Sequence, residues 1–488
     1  MSFQTRLLST HKPGHSDTVI PDLCLFNQYH PRRYPYLLLS TAARPSNTQY
    51  DILIACPQYI VTLNADKTLC CEYRSSQHQL PEQQVSLASG FLDTLEKLFQ
   101  QNKKTASAGH DALPFSGGWF VYLAYEMAEE IEPCLSLPSL TDDQPLAVAA
   151  RCPAAIIHDK KNNQLIAVAE ENYSNLLAEL EQDYKNIVTQ YADAPVQPTV
   201  SNAAPVEDIA LESLVEAEAE PYLEQVNKIK QYIVDGDIFQ ANLSRQWRAA
   251  LKHKVDNCVL FNALSKHNPS SFAAMACFDN ITIISSSPER LVSVRNGIVE
   301  TRPIAGTRAR DNNRQSDDAL ARELLAHPKE QAEHIMLIDL ERNDLGRVCR
   351  PGSIEVNELM VLESWQHVHH IVSNVRGKLE SNKSPVDVLR AVFPGGTITG
   401  CPKVRCMEIL AEMEQQARGA YTGSLGYINN DGSMDFNILI RTMVSHTGDG
   451  NNTVTFRAGG GIVSDSVAQK ELEETRAKAK GLLKIFKL

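Results

Sequence analysis

The chain has 488 residues, 43% hydrophobic and 22% charged, which is enough for two or three ordinary domains and too apolar for a disordered chain. Its 47 basic and 59 acidic residues give a net charge of −12, which argues against a broad nucleic-acid surface but leaves room for a local basic pocket that takes a small anion. No apolar run is long enough to span a bilayer, and the opening MSFQTRLLSTHKPGHSD has no apolar stretch of the secretory kind, so no membrane attachment and a cytoplasmic location are expected.

Strand-like runs fall at 36–40, 50–55 and 165–168, and apolar residues recur at helical spacing over 91–99 and 176–192. The segment DAPVQPTVSNAAPVEDI is rich in Pro and Ala and has no aromatic residue, so it buries little and reads as a linker. The expected organisation is an N-terminal part over 1–192, a linker over 193–210 and a C-terminal part over 211–488. After the linker, 221–235 reads as a helix with Leu223, Val226, Ile229 and Ile233 on one face. Strand-like runs follow at 281–285, 298–302, 426–428, 438–444 and 454–458, with helices over 317–340 and 468–486. Strands and helices do not alternate one for one, so the class expected is α+β. The 11 cysteines are scattered without a CxxC pair, which speaks against a zinc ribbon and for reduced thiols.

Two carboxylate pairs stand at i, i+3 spacing, Glu330 with Glu333 and Glu471 with Glu474, each on one helix face. Facing pairs of this kind suit a hard cation such as Mg2+, although the commoner meaning of the spacing is a solvated helix face. FPGGTITGCPK (393–403) is a glycine-rich turn before a helix expected to start at Pro402, and its free N–H groups could hold an anion, with Lys403 and Thr397 adding a charge and a hydroxyl. AGGGI (458–462) follows a strand-like run and reads as a second anion nest, with Arg441 as a nearby basic candidate. Glu289 ends a strand-like run where a carboxylate can face a cleft, and a partly buried glutamic acid is a natural proton donor. His370, in HVHHIVS, lies between apolar residues, the usual setting of a core histidine.

Taken together, GDIFQANLSR (236–245), SPERL, RPIAGTR, KEQAEHIMLIDLERNDLGRV, HHIVS, FPGGTITGCPKVR, GSLGY, IRT, AGGGIVSDS and ELEETRAKA resemble, in order, the chorismate-utilising enzymes. These include the anthranilate, aminodeoxychorismate, isochorismate and salicylate synthases. The likeness covers nearly all of the chain after the linker. It is looser before it, through YDILIACP and PFSGGWFVYLAYE, a Gly-Gly segment followed by an aromatic-acidic pair. The resemblance implies a large antiparallel β-sandwich with helices outside, built by both parts of the chain. It also implies Glu333 and Glu474 as Mg2+ ligands, with Glu330 and Glu471 beside them. Gly400, Cys401 and Lys403 would meet the ring carboxylate of chorismate, and Arg441, Tyr421, Gly460 and Gly461 the enolpyruvyl carboxylate. Glu289 would protonate the departing C4 hydroxyl, helped by His370 and Thr397.

Within the family, water-adding members carry a lysine base where this chain has Gln240, so the resemblance points to an aminating enzyme. Asn242 and FPGGTITG resemble the aminodeoxychorismate branch. Ala305, in PIAGT, departs from the lysine with which the best-known members of that branch attack the ring, and resembles the anthranilate branch instead. A non-catalytic chorismate-binding protein is the remaining and least favoured reading. No cysteine stands in a Gly-x-Cys-x-Gly context, so ammonia would come from a separate glutamine amidotransferase subunit. Leu39 replaces the acid of the LLES segment common in tryptophan-inhibited members, while Ser40 is retained, which leaves open a tryptophan bound in the N-terminal part.

Overall fold

The segment YDILIA at 50–55 is apolar at successive positions, so a strand there must be covered on both faces. Ile52 and Ile54 face a core shared with Tyr59, Val61, Trp119 and Val121, while Leu53 and Ala55 face a second core with Leu176 and Leu180 of the Leu176–Tyr191 helix. The first core lies between two sheets and the second lies under helices, which gives the α+β sandwich that the resemblance implied. The computed structural model describes residues 3–10, 20–41, 49–74, 87–104, 113–140, 144–191, 209–311, 313–364, 368–446 and 452–487. Nearly all of the expected linker therefore lies outside the described residues. Among the described residues no helix is long and apolar enough to cross a membrane.

One sheet has thirteen strands and the other eleven. Nearly all pairing is antiparallel, and both sheets mix strands from before and after the linker. Leu37, Leu38 and Leu39 pair with Met275, Ala274 and Ala273 in the larger sheet, and Gly118–Leu123 pairs with Ser424–Asn429 in the smaller. At one side of the larger sheet the Gln240–Leu251 strand pairs with the Thr453–Ile462 strand. Ala241, Leu243 and Ile462 pack there with Tyr222, Val226, Ile409, Leu410 and Leu472 from three helices, Ala219–Val234, Lys403–Glu414 and Ala468–Leu483. Strand alternation then turns Gln240, Asn242 and Ser244 to the opposite face.

Four expectations need correction. The helix expected over 317–340 is two helices, Arg314–Ala326 and Pro328–Gly346, because Pro328 has no N–H to continue the first and fits the first turn of the second. The strand expected at 438–444 is only Thr442–His446, since Ile438 N–H donates to Glu289 O and Leu439 N–H to Gly423 O instead of joining a ladder. Pro402 stands at the N-cap, one residue before the Lys403–Glu414 helix. The glycines at 459–461 are not a nest but lie inside the Thr453–Ile462 strand, paired with Ser244, Leu243 and Asn242.

Candidate active site

Glu289 sits in the corner between the Ile281–Ser287 and Arg290–Arg295 strands. Its N–H bonds the Ser287 hydroxyl (3.2 Å), and its carbonyl takes the N–H of Ile438 (3.0 Å). The side chain is 6% exposed, and Thr397 Oγ1 donates to its Oε1 at 2.7 Å. Burial raises its pKa to about 7, against the opposing pull of the Thr397 bond and the charges of Arg441 and Lys478. A carboxyl held near neutrality can keep a proton and give it up within one turnover. Burial, and then the charge of Arg441, pushes His370 down to about 4, so its ring is neutral at pH 7. Arg441 stands at a positive φ of 50° just before its strand, with its charge acting on both groups.

Gln240 Nε2 donates to Glu333 Oε1 at 3.0 Å, and among the described residues its own buried Oε1 has no partner, nor has Asn242 Oδ1. Gly400 and Gly461 hold this arrangement by close approach. A Cβ on Gly400, at φ +134°, would stand 2.1 Å from Gln240 O, and one on Gly461 would stand 2.0 Å from Gln240 Nε2. Cys401 pairs through its backbone with Gln240, and burial raises its thiol pKa, which disfavours the thiolate. Tyr421 is buried, with its hydroxyl 2.7 Å from where a Cβ on Gly459 would lie.

Of the four expected metal ligands, Glu471 and Glu474 lie beside Gly460, Glu330 beside Gly306, and Glu333 against Gln240. Glu474 and Glu471 lie 3.4 Å and 3.6 Å from a Cβ built on Gly460. Glu474 is paired to Lys478 (2.8 Å) and Glu330 to Arg308 (3.2 Å). Among the described residues, no three His, Cys, Asp or Glu side chains are grouped closely enough to hold an ion. The donors are hard carboxylate oxygens of the type Mg2+ takes, and the side chain of Glu333 meets Gln240, so their chemistry fits the ion.

Lys403 is paired within the protein. Its ammonium bonds Asp344 at 2.6 Å and Val392 O at 3.2 Å, because the neighbouring Pro328–Gly346 helix places a buried carboxylate within its reach. A cavity of about 410 Å3 is lined by Tyr421 together with Gln246, Arg418 and Arg457. A cavity of about 430 Å3 lies at the Arg295–Gly297 and Asn429–Met434 turns and includes none of the expected residues.

The sequence profile described as "chorismate binding enzyme" matches residues 15–484. The chain belongs to this family. An anthranilate synthase component I-like protein of Synechocystis sp. is 41% identical over 398 residues, 80% of this chain and 78% of that one. Aminodeoxychorismate synthase component 1 of Bacillus subtilis is 47% identical over 268 residues, 55% of this chain and 56% of that one. The crystal structure of anthranilate synthase component I from Streptococcus pneumoniae superposes with a TM-score of 0.73 at 30% identity, covering 90% of this chain and 93% of that one.

For a chorismate-binding enzyme, sequence reasoning left out several groups that the fold brings in. Lys478, four residues after Glu474, donates to Gly459 O (2.9 Å) and acts electrostatically on Glu289; its i, i+4 spacing could have revealed it. Glu341 is buried, with its pKa raised to about 8 by burial and by the charge of Asp344. Behind Tyr421, the buried carboxylate of Glu414 binds Arg418 (2.8 Å) and Arg457 (3.2 Å). Only tertiary contact could reveal this cluster, since Arg457 lies on a distant strand.

Proposed function

We propose that this chorismate-binding enzyme aminates chorismate, as aminodeoxychorismate synthase component I does, with ammonia supplied by a glutamine amidotransferase subunit. The product, 4-amino-4-deoxychorismate, would serve para-aminobenzoate and folate synthesis in the cytoplasm. The observation that carries the reading is a buried acid, Glu289, in a chain whose buried Gln240 and Asn242 amide oxygens have no partner among the described residues. Gln240 already donates its N–H to Glu333, so it presents an acceptor to the pocket. An acceptor cannot deprotonate water, but it can hold ammonia by its N–H and leave the nitrogen lone pair free. Glu289 then gives its proton to the leaving C4 hydroxyl, which departs as water. Mg2+, held by Glu333 and Glu474 with Glu330 and Glu471 beside them, would neutralise the ring carboxylate. Arg441, Tyr421 and the Gly460–Gly461 edge would take the enolpyruvyl carboxylate.

Ala305 supports a second reading, anthranilate synthase component I. It lies in the Ile304–Ala309 strand paired to Ile371, beside His370, and supplies no nucleophile for a covalent adduct. Without such an adduct ammonia would attack the ring directly, at C2 in this reading and at C4 in the first. In the N-terminal part, Ser40 N–H bonds Asp51 (2.9 Å) while its buried hydroxyl has no partner among the described residues, which supports a place for a polar ligand such as tryptophan.

The test is to incubate the chain with chorismate, Mg2+ and ammonium, with and without an aminodeoxychorismate lyase. Formation of 4-aminobenzoate only with the lyase supports the first reading. Fluorescent anthranilate without the lyase refutes it in favour of the second.

A further inference from the structure

Tyr125 and Glu126, the aromatic-acidic pair of PFSGGWFVYLAYE, have no assigned part in the chemistry, yet the fold carries them against the Arg418–Tyr421 turn that lines the Tyr421 cavity. Glu126 is 5% exposed and 292 residues from Arg418 in sequence. Its carboxylate accepts the N–H of Arg418 at 2.7 Å and that of Gly419 at 3.3 Å and 3.2 Å to its two oxygens. Tyr125 N–H returns a bond to Gly419 O at 2.9 Å, and its ring lies 4.7 Å from the Arg418 guanidinium carbon. This clamp is closed at both ends of one turn. Within the turn, Tyr421 N–H bonds Arg418 O at 3.1 Å, and Gly419 takes φ +60°. Arg418 also donates to Asn242 O (2.6 Å) and to Glu414 (2.8 Å), so the clamped turn grips the strand that carries the pocket amides.

We propose that Glu126 is a positioning residue for chorismate: by holding the Arg418–Tyr421 turn it sets Tyr421 and the Asn242 strand at the pocket, which makes the N-terminal part of the chain a structural component of substrate binding. The proposal rests on the reading that Tyr421 faces bound chorismate. The physical reason is that both amides are buried, and no water can replace the carboxylate that satisfies them. Burial raises the pKa of Glu126 to about 7, and in its ionised form the carboxylate accepts at both oxygens, whereas a carboxamide turns a donor toward one of the two N–H groups.

The experiment compares steady-state kinetics and thermal melting of the wild-type chain with Glu126→Gln, Tyr421→Ala and the double variant, with chorismate, Mg2+ and ammonium. In Glu126→Gln, KM for chorismate is expected to rise by roughly tenfold, with kcat within about twofold of wild type. The double variant is expected to be no worse than Tyr421→Ala, because the two residues act through one turn. Gly419→Ala strains the same turn while leaving the carboxylate in place, and it should raise KM in the same sense; it carries the test if Glu126→Gln does not fold. An unchanged KM in Glu126→Gln, a loss of kcat that only tracks lost melting temperature, or additive effects in the double variant would overturn the proposal. If the wild-type chain itself neither binds nor converts chorismate, it is the functional reading that fails.

Discussion

Replacing Glu289 with Gln separates the catalytic and structural consequences of burying a carboxyl. The amide keeps an oxygen to accept the Thr397 hydroxyl at the observed 2.7 Å, so the corner is expected to fold as before. It has no proton to give, and loss of a general acid costs on the order of 10²–10⁴ in rate. Stability moves the other way. The folded-state pKa of Glu289, about 7, lies above its ordinary 4.5, so the folded chain holds this proton more tightly than the unfolded chain does. That contribution is intact at pH below 4.5 and is lost as pH rises through 7. The interval corresponds to roughly 3 kcal/mol, which a neutral glutamine does not lose. Glu289→Gln should therefore lose most of its kcat while its melting temperature, relative to wild type, is several degrees better at pH 8 than at pH 5. Turnover by stopped assay and melting by calorimetry at the two pH values read both effects. A variant that keeps kcat within a few-fold of wild type refutes the acid assignment, and a melting difference that does not change with pH refutes the burial argument.

Other substitutions probe the rest of the site. In wild type, kcat/KM should fall about tenfold between pH 6 and pH 8 as Glu289 loses its proton, and a pH-rate profile checks this. Glu414→Ala strands the guanidinium groups of Arg418 and Arg457, both 5% exposed, and should cost roughly 3–5 kcal/mol, read as a large drop in melting temperature. Gly461→Ala drives a methyl into Gln240 Nε2 and should depress activity far more than Gly460→Ala, whose Cβ meets nothing closer than 3.4 Å; parallel kcat/KM values decide. Glu474→Ala, at an exposed position, should leave melting unchanged but abolish any tightening of chorismate binding by Mg2+, measured by titration calorimetry with and without the ion.

Much of the C-terminal part was legible because its chemistry is written in short, contiguous segments. The corner of Glu289, the Gly400–Cys401 turn and the helix of Glu471 and Glu474 each lie within a few residues, where turn residues and helical spacing can be read locally. The 317–340 helix was misread because the apolar periodicity continues across Pro328, and periodicity does not register a missing N–H. The 459–461 glycines were read as a nest because a run of Gly is usually a turn. Here the absence of Cβ atoms instead lets one paired strand pass close to Gln240 and the Glu471–Glu474 helix face.

The sequence by itself determined the class of fold and the family, since residue type and order carry that information. The tertiary structure decided which charges meet. Lys403, a candidate cation in a linear reading, meets the carboxylate of Asp344. Glu126 looks like an ordinary acid of the N-terminal part, but it holds the turn of Tyr421. Glu289 acquires a pKa near 7 only because neighbouring elements bury it. Burial and charge pairing depend on what other segments bring within a few ångströms, and that is a property of the packed chain rather than of any stretch within it.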